Sequence, residues 1–176
     1  MLKIFTTQLS GIFSRIGENQ AEAIEDGARL LAQAVVSGHA VYFHGKNELA
    51  AVALEASESK EPFPGAKVLP LDQKERSLLH PSDRVLLFYS DPEDQDIQSL
   101  VKELHEQGTP VVGVGPAQKE PSTIEEHCDV HIDFQLKKPL VPAEDGTRFG
   151  YPALMTCLYV YHALSFTVKE IVEEYE

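Results

Sequence analysis

The sequence is poor in the residues that form covalent cross-links and metal clusters. Its 176 residues include two cysteines, two methionines and no tryptophan. Cys128 and Cys157 are too few for a disulfide framework, and their spacing is not that of a zinc site. We therefore expect free thiols, no metal and no cofactor. Because no secretory signal is recognisable, we also expect a cytoplasmic protein.

The sequence also has few positively charged residues. Fifteen Lys and Arg residues face 28 Asp and Glu residues, so the formal net charge is −13. Nucleic acids and anionic membrane surfaces attract proteins of the opposite charge, so this balance argues against both as partners. An anionic ligand would depend on local donors, because the overall field repels it.

Long hydrophobic runs and the common nucleotide motifs are missing too. The sequence has no P-loop, no serine nucleophile elbow and no G-x-G-x-x-G, since the glycines at 113 and 115 lead straight into Pro116. Residues 149–168 carry no Asp, Glu, Lys or Arg, but they include Pro152 and His162. This stretch is barely long enough to span a bilayer. We interpret it as a buried helix at a subunit interface.

The hydrophobic pattern predicts helices and strands in alternation. The predicted helices are Met1–Ile16, Gln20–Ser37, Leu49–Ala56, Glu93–Gln107, a short helix after Ser122, and Tyr151–Tyr175. The predicted strands are His39–His44, Lys67–Leu71, Asp83–Tyr89, Pro110–Val114 and Asp129–Phe134. Such alternation predicts a mainly parallel five-stranded sheet in a three-layer α/β/α sandwich with flavodoxin-like topology. We expect one domain: helices over 1–37, an α/β core over 38–135 and an interface helix within 147–176.

Four local signals predict where helices begin. Asn19 with Glu22, and Ser122 with Glu125, have the spacing of capping boxes. Asn47 is a candidate N-cap after the first strand. Pro92 stands where a first helical residue is favoured.

The turns after the first and third predicted strands resemble those of the SIS (sugar isomerase) domain. They read Gly45-Lys46-Asn47-Glu48 and Ser90-Asp91-Pro92-Glu93-Asp94, and the later segments GTPVVGVG and DVHIDF fit the same order of elements. The layout is most similar to the phosphoheptose isomerases, and also to a group of SIS-like proteins from Gram-positive bacteria. The resemblance implies a sugar or sugar-phosphate ligand and a homo-oligomer, either a dimer or a tetramer.

Both turns depart from the family pattern. SIS domains have G-N-G-x-S in the first turn and S-x-S-G-x-T in the second, and of these Gly45 and Ser90 are kept. Carboxylates stand where the hydroxyls that hold a phosphate are expected. Each would repel a phosphate a few ångströms away by on the order of 1 kcal/mol per charge pair. The ligand-binding residues that we predict are Gly45, Lys46, Asn47, Glu48, Ser90, Asp91 and Arg148.

Two residues are candidates for proton transfer. The resemblance implies a glutamate near the end of the central helix, where Glu58 stands with Glu55 one turn earlier, and a histidine of the last helix, where His162 stands. Two hypotheses remain open. One is a carbohydrate-derivative binding protein with a degenerate phosphate loop and no catalysis. The other is an aldose–ketose sugar-phosphate isomerase in which Glu58 and His162 move protons.

Overall fold

The computed structural model describes residues 1–175 as seven helices and seven strands. The helices are α1 (Leu2–Asn19), α2 (Ala21–Val36), α3 (Ala51–Glu58), α4 (Gln73–Arg76), α5 (Gln95–Glu106), α6 (Thr123–His127) and α7 (Ala153–Glu173). The strands are β1 (Val41–Gly45), β2 (Ala66–Val68), β3 (Arg84–Phe88), β4 (Val111–Gly115), β5 (Val130–Asp133), β6 (Val141–Pro142) and β7 (Arg148–Phe149). A single 3₁₀ turn, Asn47–Ala50, joins β1 to α3.

The first five strands form one parallel sheet in the order β2-β1-β3-β4-β5. This confirms the predicted fold class and the flavodoxin-like topology. The strand order reverses between β1 and β3, where Gly45 lies opposite Phe88. In open α/β sheets, ligands bind beyond the carboxyl ends of the strands at such a switch point.

Alternate side chains along each strand fill two separate cores. One core holds Phe43, Leu86 and Phe88 with the apolar faces of α1, α2, α3 and α7. The other holds Val85 and Leu87 with the buried face of α5 and with Ile124 of α6. Because a strand's side chains alternate between the faces of the sheet, both faces are covered and the sandwich has three layers.

The structure confirms only one of the four predicted helix starts. Ser122 and Glu125 form the capping box of α6. Gln20, without a side-chain cap bond, precedes α2, so the Asn19–Glu22 box was wrong. Asp94 caps α5, which places Pro92 before the helix. Asn47 is not an N-cap, because Lys46 precedes the 3₁₀ turn and Asn47 has a left-handed φ of 55°.

Two further differences concern the last third of the chain. The predicted loop before the last helix contains an antiparallel hairpin in which β6 pairs with β7. Helix α7 buries one face against α2 and leaves the other exposed. Among residues 1–175, no helix is both long enough and apolar enough to cross a membrane.

Candidate functional site

The turn after β1 depends on a glycine at its first position. A Cβ on Gly45 would collide with the carbonyl group of Leu49 in the 3₁₀ turn. Asn47 takes the left-handed conformation that only a few residue types adopt readily. The backbone therefore folds tightly against itself, and the Lys46 side chain extends toward α5.

The turn after β3 caps its own backbone amides with carboxylates. Asp91 Oδ1 accepts a hydrogen bond from the Glu93 amide at 2.9 Å. Asp94 Oδ1 accepts from the amides of Asp96 and Ile97 at 3.0 and 3.1 Å. The amides of Asp96 and Ile97 lie in the first turn of α5, where the positive end of a helix would otherwise attract an external anion, and the Glu93 amide lies just before it.

Lys46 joins the two turns through ion pairs. Its Nζ lies 2.8 Å from Asp94 Oδ2 and 2.7 Å from Asp96 Oδ2. Hydrogen bonds to Asp94 and Asp96 raise the pKa of Lys46. Burial works to raise the pKa of Asp94, but the hydrogen bonds from Lys46 and from two amides outweigh it and lower that pKa. Of the two cations predicted to bind a ligand, Lys46 is thus already paired with protein carboxylates.

Other carboxylates of the two turns approach the start of α7. Burial raises the pKa of Tyr151, and the charges of Cys157, Asp91 and Glu48 raise it further. The Tyr151 hydroxyl donates to the Leu136 carbonyl at 3.3 Å. Glu48 follows β1 and Asp91 follows β3, so both stand at the carboxyl edge of the sheet, together with the half-buried Ser90.

Arg148 has a different local setting from the turn residues. It lies exposed on β7, where its Nε donates to the Pro139 carbonyl at 2.8 Å. Its Nη2 donates to the Leu140 carbonyl, also at 2.8 Å. These two hydrogen bonds stabilise the hairpin, so Arg148 would have to break them in order to bind a ligand.

The two proton-transfer candidates are not adjacent. His162 Nε2 lies 3.8 Å from Oε1 of Glu55, whereas Glu58 is exposed one turn further along α3. His162 and Glu55 line a cleft of about 740 Å³ between α7 and the segment after α3, together with Ser59 and Lys169. The structure thus places the earlier of the two glutamates beside the histidine.

A second cleft lies on the other side of the sheet and was not anticipated. It measures about 340 Å³ and its lining includes His44, Lys46, Arg76 and Asp96. Arg76 binds Glu103 through two hydrogen bonds of 2.7 and 2.8 Å. Because successive side chains of a strand point to opposite faces of the sheet, the sequence indicated that His44 and Phe43 lie on opposite faces. It did not show which helix covers each face.

The histidines of the segment His127–His131 lie in separate environments. His127 Nδ1 lies 2.7 Å from the Thr123 carbonyl oxygen. His131 Nε2 lies 2.7 Å from the hydroxyl of the buried Tyr89. Within residues 1–175, no three His, Cys, Asp or Glu side chains are grouped so that they could hold a metal ion.

Comparison with known proteins gives one family and one fold. A family model described as "Domain of unknown function (DUF2529)" matches residues 1–172. Protein YwjG of Bacillus subtilis (strain 168), described as uncharacterized, is 62% identical over 175 residues, which make up 99% of each chain.

Solved structures with the same fold include a sugar isomerase domain and a phosphoheptose isomerase. The sugar isomerase domain of an RpiR transcription factor from Sphaerobacter thermophilus aligns with a TM-score of 0.59 and 14% identity, covering 98% of this chain and 97% of that one. Phosphoheptose isomerase GmhA from Neisseria gonorrhoeae aligns with a TM-score of 0.63 and 14% identity, covering 96% of this chain and 99% of that one. The fold is therefore that of SIS domains, as the sequence resemblance predicted.

Proposed function

We propose that this chain, which belongs to the DUF2529 family, binds a carbohydrate derivative at the carboxyl edge of its sheet and has lost the phosphate loop of SIS domains. Proteins described as a phosphoheptose isomerase and as a sugar isomerase domain share its fold over nearly the whole chain. That likeness supports a carbohydrate as the class of ligand. The predicted binding residues Gly45, Lys46, Asn47, Glu48, Ser90 and Asp91 all stand at this edge.

One observation supports the loss of the phosphate loop. Two amides of the first turn of α5 are already hydrogen-bonded to Asp94, and the Glu93 amide before the helix is bonded to Asp91. Lys46 is paired with Asp94 and Asp96. A phosphate ester would have to displace these carboxylates and withstand their charge. A ligand that offers hydroxyl groups could instead donate hydrogen bonds to them.

A thermal-shift titration tests this proposal. A ligand that binds only the folded protein stabilises it by RT ln(1 + [L]/Kd), which is about 2.7 kcal/mol at a hundredfold excess over Kd. The purified protein would be titrated with free sugars, with their phosphate esters and with inorganic phosphate. We expect a free sugar to raise the melting temperature more than its phosphate ester does. A silent panel, or a clear preference for the ester, would contradict the proposal.

The second candidate function is an aldose–ketose sugar-phosphate isomerase. The approach of Glu55 to His162 favours it, because a carboxylate and an imidazole that line one cleft could move a proton between neighbouring sugar carbons. In that case Glu55, rather than Glu58, is the better candidate base. Isomerase assays on the Glu55→Gln, Glu58→Gln and His162→Gln variants distinguish the two glutamates. Loss of activity in Glu58→Gln and His162→Gln, with Glu55→Gln still active, would restore the original pair.

We further propose that the protein forms a homodimer through an apolar face of α7 and α3. This face is defined by Leu54, Met155, Tyr159 and Phe166, whose side chains are exposed by 60, 46, 36 and 61%. Tyr159 is held in place by stacking on Phe13 of α1, with ring centroids 4.5 Å apart. Large apolar groups clustered on one surface are typical of protein–protein interfaces.

A further inference from the structure

The cleft on the α5 side of the sheet has a histidine at its base. His44 follows Phe43 in β1 but lies on the opposite face of the sheet, the face that α5 covers. Arg76 of α4 and Lys46 of the first turn lie close enough to influence its charge. At about 340 Å³, the cleft is at the small end of the range for small-molecule sites.

His44 presents an uncharged ring to the cleft. Burial, followed by the positive charges of Arg76 and Lys46, lowers the pKa of His44, so the ring is neutral at pH 7. Within residues 1–175, neither ring nitrogen makes a hydrogen bond, although both Arg76 and Lys46 make several. A neutral imidazole has one donor and one acceptor, which matches the hydrogen-bonding capacity of a hydroxyl group.

The charged side chains of the cleft are already paired with one another. Lys46 binds Asp94 and Asp96, and Arg76 binds Glu103. An added anion would compete with these carboxylates, and an added cation would meet Lys46 and Arg76. Exposed carboxylate oxygens can still accept hydrogen bonds from hydroxyl groups, and Leu71, Ile97 and Leu100 give the cleft an apolar wall.

We infer that the His44 cleft binds a neutral polyhydroxylated ligand, namely an unphosphorylated sugar or sugar alcohol, with His44 hydrogen-bonded to one of its hydroxyl groups. This inference rests on the proposed carbohydrate binding and names both its ligand class and its place. The carbon–hydrogen face of the ligand lies against Leu71 and Leu100. Asp96 accepts a hydrogen bond from a second hydroxyl group.

Histidine-resolved NMR on the full chain tests the inference. The ¹⁵N-labelled protein would be titrated with D-glucose, D-fructose, D-ribose and sorbitol, and with inorganic phosphate as the anionic probe. We expect a neutral sugar or sorbitol to shift the ring resonances of His44 and to leave those of His105, at the far end of α5, in place. Inorganic phosphate is expected to shift neither ring.

Two leucine substitutions provide the matched comparison. Replacing His44 with leucine keeps a side chain of similar size under α5 but removes both hydrogen-bonding atoms. His44→Leu should weaken binding roughly tenfold or more, since a hydrogen bond of this kind contributes about one order of magnitude in Kd. The control His105→Leu, at an exposed position, should bind as the wild type does.

The outcomes separate this inference from the proposed function. Binding with a His44 shift that His44→Leu abolishes supports both. Sugar binding that leaves the His44 resonances and the affinity of His44→Leu unchanged overturns the inference and leaves the proposed function standing. If none of the four neutral probes and none of their phosphate esters binds, both are overturned.

Discussion

Gly45 is the residue on which the first turn depends most directly. In Gly45→Ala the new methyl group would meet the Leu49 carbonyl group, which is backbone and cannot turn aside. Overpacking of this kind costs about 1–3 kcal/mol of folding free energy. We therefore expect Gly45→Ala to lower the midpoint of urea unfolding clearly.

A second glycine-to-alanine substitution serves as the control. Gly17 lies inside α1, where an added Cβ would meet the Tyr159 hydroxyl at an ordinary 3.7 Å. Because alanine favours a helix interior over glycine by about 1 kcal/mol, Gly17→Ala should raise the midpoint. Equal stability of the two variants would show that the turn does not need its glycine.

Lys46 makes a pH-dependent contribution to stability. The pKa of Asp94 is lowered in the folded protein from an ordinary value of 3.8, and that of Lys46 is raised from 10.5. The lowered carboxyl contributes stability above pH 3.8 that is lost as pH falls through its folded pKa. The raised ammonium contributes stability below pH 10.5 that is lost as pH rises through its folded pKa.

The Lys46→Met variant tests this pH dependence. We expect the wild type to be more stable than Lys46→Met between these two limits, and the difference to shrink beyond either one. Unfolding by urea across a pH series measures it. Lys169→Met is the control, because Lys169 pairs with Glu173 at 4.0 Å on an exposed helix surface, where such pairs contribute little. A difference for Lys46→Met that does not vary with pH would contradict the assignment.

The start of helix α5 shows what local sequence signals can predict and what they cannot. Pro92 and Asp94 are both residue types that favour a helix start, and Pro92 predicts a helix that begins at Glu93. The structure begins the helix after Asp94, whose carboxylate caps two amides and also binds Lys46. The second of these contacts joins residues 48 positions apart. No pattern within the helix could reveal it.

The same distinction explains which site residues were anticipated. The central strands were found because their apolar runs are self-contained, and the capping box of α6 because it spans only Ser122 to Glu125. The position of His44 in a cleft and the approach of Glu55 to His162 were not predicted. They depend on which helix covers each face of the sheet and on how α3 packs against α7, and both are tertiary properties.

The acidic turn before α5 yields a prediction about ligand choice. Replacing Asp91, Glu93 and Asp94 together with Ser, Gly and Thr removes three carboxylates and releases one of the partners of Lys46. Threonine can still cap the helix. We expect phosphate esters, which the wild type should hold weakly, to bind this variant with higher affinity and to raise its melting temperature.

The control for this variant changes charge at the other end of the same helix. Glu106 is the last residue of α5, and Glu106→Ser removes one carboxylate far from the turn. If Glu106→Ser gains as much affinity as the triple variant, the gain reflects net charge alone. No gain in the triple variant would show that these carboxylates do not block a phosphate site.

The net charge of the whole molecule and its apolar face have opposite effects on the association of two copies. A net charge of −13 makes two copies repel each other at long range. The apolar face of α7 and α3 carries large apolar side chains, and a groove of about 430 Å³ lined by Tyr159, His162, Ala163 and Phe166 lies within it. A stable interface of standard size buries about 800 Å² and about 20–30 residues per partner, so a dimer would bury neighbouring residues as well as these four.

Sedimentation velocity at micromolar concentration tests the dimer. We expect the wild type to sediment with twice the chain mass, and added salt to strengthen the dimer because it screens the repulsion. Phe166→Glu places a charge within the face and should yield monomers. Leu78→Glu is the control, since Leu78 is 82% exposed in the segment before β3, away from α7. A monomeric wild type, or a dimer that persists in Phe166→Glu, would mean that these apolar side chains do not hold two copies together.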